Sequence, residues 1–448
     1  MGKPEPSLIL IEAIMSDVDL MLRFMVQILV ILTACRVIGF LGKRFLGQTQ
    51  VVMEMIVGVC LGPSLLGAFF PLAQAWLFPS EKIVTAAGKL PNPSMGVLYV
   101  IAQLGLVLYM FLVGTEFDLE LLTKRAKGAV SVSLAGIILP FALGAGLAVT
   151  LMNSGHTELF SPKVGVSEGA LYMGAAMCIT AFPMLARILV ERGIAKTEMG
   201  VLALGAGAAD DATAWALLAV VLASYKHDLK YAIFAIAGGV IFATLTMTAG
   251  RKALAQFGAR INEGEEMSQQ MFGMVLLFLF AGAWITDALG IYAVFGAFII
   301  GAAMPRGRFT EQLRAKIEPS AVGLFLPFFF VYSGLNTKIG LLNTPAMWGV
   351  CLLLCAAAML GKFGGCTLAA RFDGQSWRDA CAIGTLMNAR GLMELIILNI
   401  GLQQGVITPT LFTILTIMAI LTTLMASPIF NWLYSPKRSF AGGSVELA

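Results

Sequence analysis

Thirteen apolar runs, most of them close to the length a helix needs to cross a lipid bilayer, dominate what this chain can fold into. They lie near 22–41, 51–70, 96–115, 128–152, 169–190, 198–223, 229–250, 271–287, 289–304, 319–335, 346–369, 379–401 and 409–433. A helical crossing takes roughly 20 apolar residues. The connections between runs are too short to hold a soluble domain. Of the 448 residues only 12% are charged and 58% are hydrophobic, whereas a soluble domain carries about 25% charged residues. A water-soluble fold is thereby excluded, and so is disorder, which needs the opposite composition. The expectation is an all-α integral membrane protein with about thirteen transmembrane helices. Residues 1–21 form an extracytoplasmic segment, 22–433 a transmembrane domain and 434–448 a short tail.

Other function classes find little support. A net charge of +4 gives no reason to expect nucleic acid. The seven cysteines show no CxxC spacing, and His156 and His227 cannot complete a zinc set with Cys351 and Cys355. They read as apolar filler. No nucleophile–base constellation appears, so neither an enzyme nor a cofactor is expected. Residues 8–15 are apolar, but Glu12 interrupts them and no basic segment precedes them, so no signal peptide is read there.

Basic residues set the orientation. With the N-terminus outside, the inner connections hold nineteen lysines and arginines and the outer ones eight. This imbalance agrees with an odd number of crossings, a cytoplasmic C-terminus and a multi-pass protein of the cell (inner) membrane, surrounded by lipid. Arg36, Lys362 and Arg390 fall within the runs, and Arg36 is near enough to Lys43 to snorkel to the surface.

A few charges stand where the topology gives them no water. Asp210 and Asp211 have eleven apolar or small residues before them and twelve after, which places them near the bilayer midplane. An aspartate at the centre of a crossing costs roughly 2.5–3.5 kcal/mol on the insertion scale. A pair of them calls for a partner, a cavity and a transported ion. Lys362 lies about 13 Å along a helix from Arg371, beyond comfortable snorkelling, and is the natural counter-ion for one aspartate. Arg390 and Glu394 are four apart and suited to pairing along a helix face, either as a structural ion pair or in transport.

Two runs also carry signs of a break. Pro183, in Cys178-Ile-Thr180-Ala-Phe-Pro183, removes a main-chain hydrogen bond mid-crossing and frees carbonyls upstream. Such irregular backbone at membrane depth is tolerated only where it is buried or lines a cavity. Thr180 then offers a hydroxyl beside those carbonyls, the hard oxygens a sodium or potassium ion takes. Asn388 and Gly391 mark a second break. The broken runs are the fifth and twelfth, an odd offset, so two repeats containing them run in opposite directions. Inverted repeats with discontinuous crossing helices and ionisable groups at the midplane are a pattern of secondary transporters.

These segments resemble the monovalent cation:proton antiporter-2 family, which has the NhaA-type fold. Glu54-Met-Ile-Val-Gly58-Val-Cys-Leu-Gly62-Pro63-Ser64-Leu-Leu-Gly67 is similar to the family's E-x-x-x-G-x-x-L-G-P-S-x-x-G stretch. Phe111-Leu-Val-Gly114-Thr-Glu116-Phe-Asp118 resembles its F-x-x-G-x-E-x-D motif. Thr180-Ala-Phe-Pro183 and Asp210-Asp211 fall where the family has its first helix break and its acidic site. Lys362 matches the lysine that pairs with the first aspartate in sodium/proton members. The run Asn388-Ala-Arg390-Gly391-Leu-Met-Glu394 is close to the plant-type cation/proton exchanger branch.

The resemblance implies a sodium or potassium/proton antiporter working by alternating access. Asp211 and Thr180 would hold the cation or Asp211 the proton, Asp210 would pair with Lys362, and Arg390 and Glu394 would compensate charge. It further implies electrogenic exchange and a homodimer. Spans 1–3 and 8–10 would form the scaffold, spans 4–6 and 11–13 the ion-transport core, with span 7 linking them. A channel-like potassium efflux protein and a non-transporting membrane sensor on the same fold are the alternatives.

Overall fold

The computed structural model describes residues 17–46, 48, 50–79, 82–85, 88–116, 126–156, 158–191, 194, 197–225, 229–262 and 266–433. The expected N-terminal segment as far as residue 16, the tail 434–448 and Phe117 and Asp118 of the acidic motif lie outside them. So do Lys3, Lys124, Arg125, Arg192, Lys196, Lys226, Lys437 and Arg438 of the charge count.

Helices form where the apolar runs are, because a helix satisfies its main chain internally and needs no water. In chain order the principal ones are α1 (Asp17–Leu41), α2 (Gln50–Leu61), α3 (Pro93–Glu116) and α4 (Ala126–Asn153). Next come α5 (Val166–Cys178), α6 (Phe182–Glu191), α7 (Glu198–Tyr225) and α8 (Leu229–Leu245). They continue with α9 (Gln269–Ala288), α10 (Ala293–Ala302), α11 (Arg308–Ser320) and α12 (Leu326–Leu335). The last four are α13 (Pro345–Phe372), α14 (Trp377–Leu386), α15 (Leu392–Gln403) and α16 (Pro409–Leu433). Local chemistry starts several of them. Ser268, Thr344 and Ser376 cap α9, α13 and α14 by accepting the amides of Met271, Met347 and Asp379. Among the described residues, eight helical segments are long and apolar enough to cross a membrane. The molecule is a multi-pass integral membrane protein.

Both expected breaks are present. The fifth run is α5 and α6, separated by residues 179–181, and the twelfth is α14 and α15, separated by 387–391. Pro183 stands in the first turn of α6, where its missing N–H leaves no helical bond unmade. Among the described residues the departure from an all-α reading is a two-stranded antiparallel hairpin of Lys82–Thr85 and Gly88–Pro91 between α2 and α3, with an isolated antiparallel bridge between Phe160 and Ile407.

Helix α4 is the hub around the acidic pair, packing on α5, α7 and α13, while α13 also packs on α14 and α16. Elsewhere α3 packs on α10 and α12, α2 on α12, and α9 on α10. The glycines of the Glu54–Gly67 stretch serve this packing: Gly58 meets Gly334 of α12 backbone to backbone, and a Cβ on either would collide with main-chain atoms. Ser64 fixes the same junction by donating to the Thr337 carbonyl at 2.6 Å and accepting the Ile339 amide at 3.0 Å. Glu54 is buried and accepts from Gln50 at 2.8 Å. Arg36 is exposed and donates to the Gly323 carbonyl at 3.1 Å.

Candidate functional site

Asp210 and Asp211 sit midway along α7 and are 1% and 2% exposed. Asp210 is fully engaged. Its Oδ1 accepts the hydroxyl of Ser133, on α4, at 2.6 Å. Its Oδ2 accepts the hydroxyl of Thr180 at 2.6 Å and the ammonium of Lys362, on α13, at 2.7 Å. Lys362 has no solvent access, as its distance from the helix end led one to expect. Its Nζ also donates to the Cys178 carbonyl, the last of α5. Gly136 on α4 leaves room for Cys366 on α13, whose Sγ would stand 2.5 Å from a Cβ there.

Asp211 is the opposite case. Both of its oxygens are buried, and neither has a hydrogen-bond partner among the described residues. The main chain of Phe182, where α6 begins, faces this carboxyl. Two adjacent carboxylates in such unlike settings suit different tasks. One is charge-compensated and held by three donors. The other has two free oxygens, and in a dry environment it is stable only as the neutral acid or with a cation beside it.

The two breaks meet. The Ala181 amide donates to the Ala389 carbonyl at 2.9 Å, so the interrupted segments touch main chain to main chain. Arg390, fully inside the protein, reaches back to the end of α5 and donates to the carbonyls of Ala176 at 3.2 Å and Met177 at 2.5 Å. With Lys362 on Cys178, three terminal carbonyls of α5 receive cationic donors, which offsets the negative end of that helix's dipole. Arg390 pairs with Glu394 at 3.1 Å. Arg390 lies in the break and not in a helix, so the pair spans the entry to α15 instead of running along a continuous helix face. Thr423 of α16 fastens the break by accepting the Arg390 amide at 3.0 Å, and its one hydroxyl proton is shared between the Arg390 carbonyl at 2.8 Å and that of Ala419 at 2.7 Å.

All six residues singled out in the sequence thus gather around the two breaks: Thr180, Asp210, Asp211, Lys362, Arg390 and Glu394. The partner of the Thr180 hydroxyl was not anticipated. Thr180 donates to Asp210, its hydroxyl oxygen lying 2.6 Å from the carboxylate and 3.1 Å from the competing Met387 carbonyl. Ser133 and Thr423 were not foreseen. A hydroxyl within an apolar helix carries no signal until its partner, far away in the chain, is known.

Comparison with known proteins covers nearly the whole chain. The family model for the sodium/hydrogen exchanger transmembrane region matches residues 28–434. The Na(+)/H(+) antiporter NhaS4 of Synechocystis is 39% identical over 421 residues, covering 93% of this chain and 98% of that protein. Cation/H(+) antiporter 17 of Arabidopsis thaliana is 37% identical across 92% of this chain, which spans 48% of that relative's length. The Na(+)/H(+)-K(+) antiporter GerN of Bacillus cereus is 30% identical, with 93% of this chain and 97% of that protein covered. Among solved structures, the sodium proton antiporter MjNhaP1 of Methanocaldococcus jannaschii shares the fold at a TM-score of 0.61 and 15% identity, covering 92% of this chain and 98% of that one. With two broken helices enclosing a buried acidic pair, and with matches along nearly its whole length, this chain belongs to the sodium/hydrogen exchanger family.

Proposed function

We propose that this protein exchanges sodium or potassium for protons by alternating access, the cation and the proton competing at Asp211. The observation that carries the reading is the inequality of the acidic pair: Asp211 is buried with both oxygens unpartnered among the described residues, beside an Asp210 that has three donors. A cation or a proton can satisfy Asp211, but not both. Asp210 keeps Lys362 as partner in the state described and releases it as protons arrive. Thr180 keeps lone pairs free after donating to Asp210 and, with carbonyls of the break, completes an oxygen shell for the cation. Lys362, Arg390 and Glu394 compensate charge where the broken helices meet.

The family relatives named as Na(+)/H(+), K(+)/H(+) and cation/H(+) antiporters support exchange as the activity. On this reading the chain crosses the cell membrane thirteen times in two inverted repeats, with its C-terminus in the cytoplasm, and pairs as a homodimer. The helices packed around α4 and α13 are the moving core, and those around α3 and α12 the scaffold. The contacts of α4 with α5, α7 and α13, and of α3 with α10 and α12, support that division.

The test is purified protein in liposomes loaded with a pH-sensitive dye, with sodium, potassium or lithium added outside. At least one cation is expected to drive a pH change, and an imposed membrane potential is expected to alter its rate. Absence of any cation-induced pH change overturns the exchanger reading; insensitivity to potential overturns only electrogenic stoichiometry.

A further inference from the structure

Away from the acidic pair, Arg36 stands inside the apolar run 22–41 with its side chain exposed. Its Nη2 donates at 3.1 Å to the carbonyl of Gly323, in the π turn Ala321–Phe325 between α11 and α12. Four residues beyond Gly323 stands Pro327, which has no N–H to offer that carbonyl. The bond holds the guanidinium at its depth, about 10 Å along the helix from Lys43. No other hydrogen bond or ion pair reaches Arg36 among the described residues, although a guanidinium carries five N–H donors. An exposed cation at that depth meets lipid, and its charge calls for an anion.

Two more cations continue the same face. Helix α1 runs on through one π turn, Gly42–Leu46, in which Lys43 and Arg44 are exposed. Arg44 folds back along the helix: its Cζ lies 5.9 Å from the ring centroid of Phe40 and 5.8 Å from that of Phe45. Phe40 is one turn from Arg36, so the two guanidinium groups share that face of α1. None of the three cations pairs with a carboxylate among the described residues. Deeper in the membrane, Leu29, Val30, Thr33, Ala34, Val37 and Ile38 line an open groove of ≈ 470 Å3 on α1. Leu29 and Thr33 precede Arg36 by two turns and one, so groove and cations run along one side of the helix.

We propose that this face of α1 binds an anionic phospholipid, with its phosphate between Arg36 and Arg44, Lys43 beside the headgroup, and one acyl chain along Leu29, Thr33 and Val37. A guanidinium presents a fork of donors that fits phosphate oxygens. A zwitterionic lipid brings an ammonium of its own, which the three cations repel. A second copy of the chain, laid on this face about a two-fold axis, brings the same three cations and no counter-charge. The site does not depend on how exchange works.

The experiment uses the full chain in detergent, native mass spectrometry, and phosphatidylglycerol or phosphatidylcholine with identical acyl chains. Phosphatidylglycerol is expected to be retained in preference. Arg36→Gln is expected to weaken its binding about tenfold, the ratio that one charge-assisted hydrogen bond gives. Arg44→Gln is expected to weaken it as well, and decides if Arg36→Gln does not fold. Lys316→Gln, which removes an exposed charge on α11, is expected to leave it unchanged. Glycerol 3-phosphate, a headgroup without chains, is expected not to compete. Equal retention of the two lipids, equal effects of Arg36→Gln and Lys316→Gln, or competition by glycerol 3-phosphate overturns the proposal. So does disulfide cross-linking between two Val37→Cys chains, which puts a second copy on the face instead.

Discussion

Asp210 and Asp211 are consecutive residues on one turn of α7, yet the first accepts three hydrogen bonds and the second none among the described residues. The difference arises from direction. Asp210 points into the junction of α4, α13 and the first break, where Ser133, Lys362 and Thr180 converge. Asp211, one residue on, faces the start of α6.

The Asp210–Lys362 pair is wholly buried, so removing one partner strands the other. Lys362→Met is expected to lower stability by about 3–5 kcal/mol. Adding Asp210→Asn is expected to recover much of that loss, because the amide needs no counter-ion. Thermal unfolding of the three variants in detergent checks both statements; equal loss in the single and double variants contradicts them.

Arg390 is a clamp more than a partner for one residue. Its removal frees the Ala176 and Met177 carbonyls as well as Glu394, whereas Glu394→Gln leaves the carbonyl contacts in place. Arg390→Met is therefore expected to destabilise by about 3–5 kcal/mol and Glu394→Gln by about 1–3 kcal/mol. Midpoints of thermal unfolding measured side by side test the order, and a reversed order refutes the clamp.

Thr180 and Ser133 hold the two oxygens of one carboxylate. Thr180→Ser retains the donor and is expected to behave almost as the parent. Thr180→Val removes it, and transport KM for the cation is expected to rise severalfold. Ser133→Ala, on the far oxygen, is expected to have a smaller effect on KM. Initial rates of cation-driven pH change across cation concentration give these values.

Gly58 and Gly334 bring α2 and α12 into main-chain contact. Gly58→Ala is expected to cost about 1–3 kcal/mol through overpacking, although the site is untouched. The readout is a lower unfolding temperature with unchanged cation KM in the fraction that remains folded.

Much of this was legible in the sequence because charge is so rare in it. Against apolar runs, Asp210, Asp211, Lys362, Arg390 and Glu394 stand out at once, and Pro183 and Asn388 mark the interruptions. Its distance to the nearest helix end made Lys362 the counter-ion of one aspartate, and the family resemblance pointed to Asp210 as that one. What stayed hidden depended on which way a side chain turns or on contacts between distant segments. The bond from Thr180 to Asp210 was not foreseen, and Ser133 resembles any helical serine until α4 packs on α7. The hairpin at Lys82–Pro91 was missed for a simpler reason: a short polar connection between two long runs carries too little pattern to declare strands.

The most direct test of the central claim is equilibrium binding of the transported cation to purified protein at two pH values. The parent protein is expected to bind more weakly at the lower pH, since a proton on Asp211 excludes the cation. Asp211→Asn is expected to lose binding at both. Cation binding that persists in Asp211→Asn with its pH dependence intact would contradict the account.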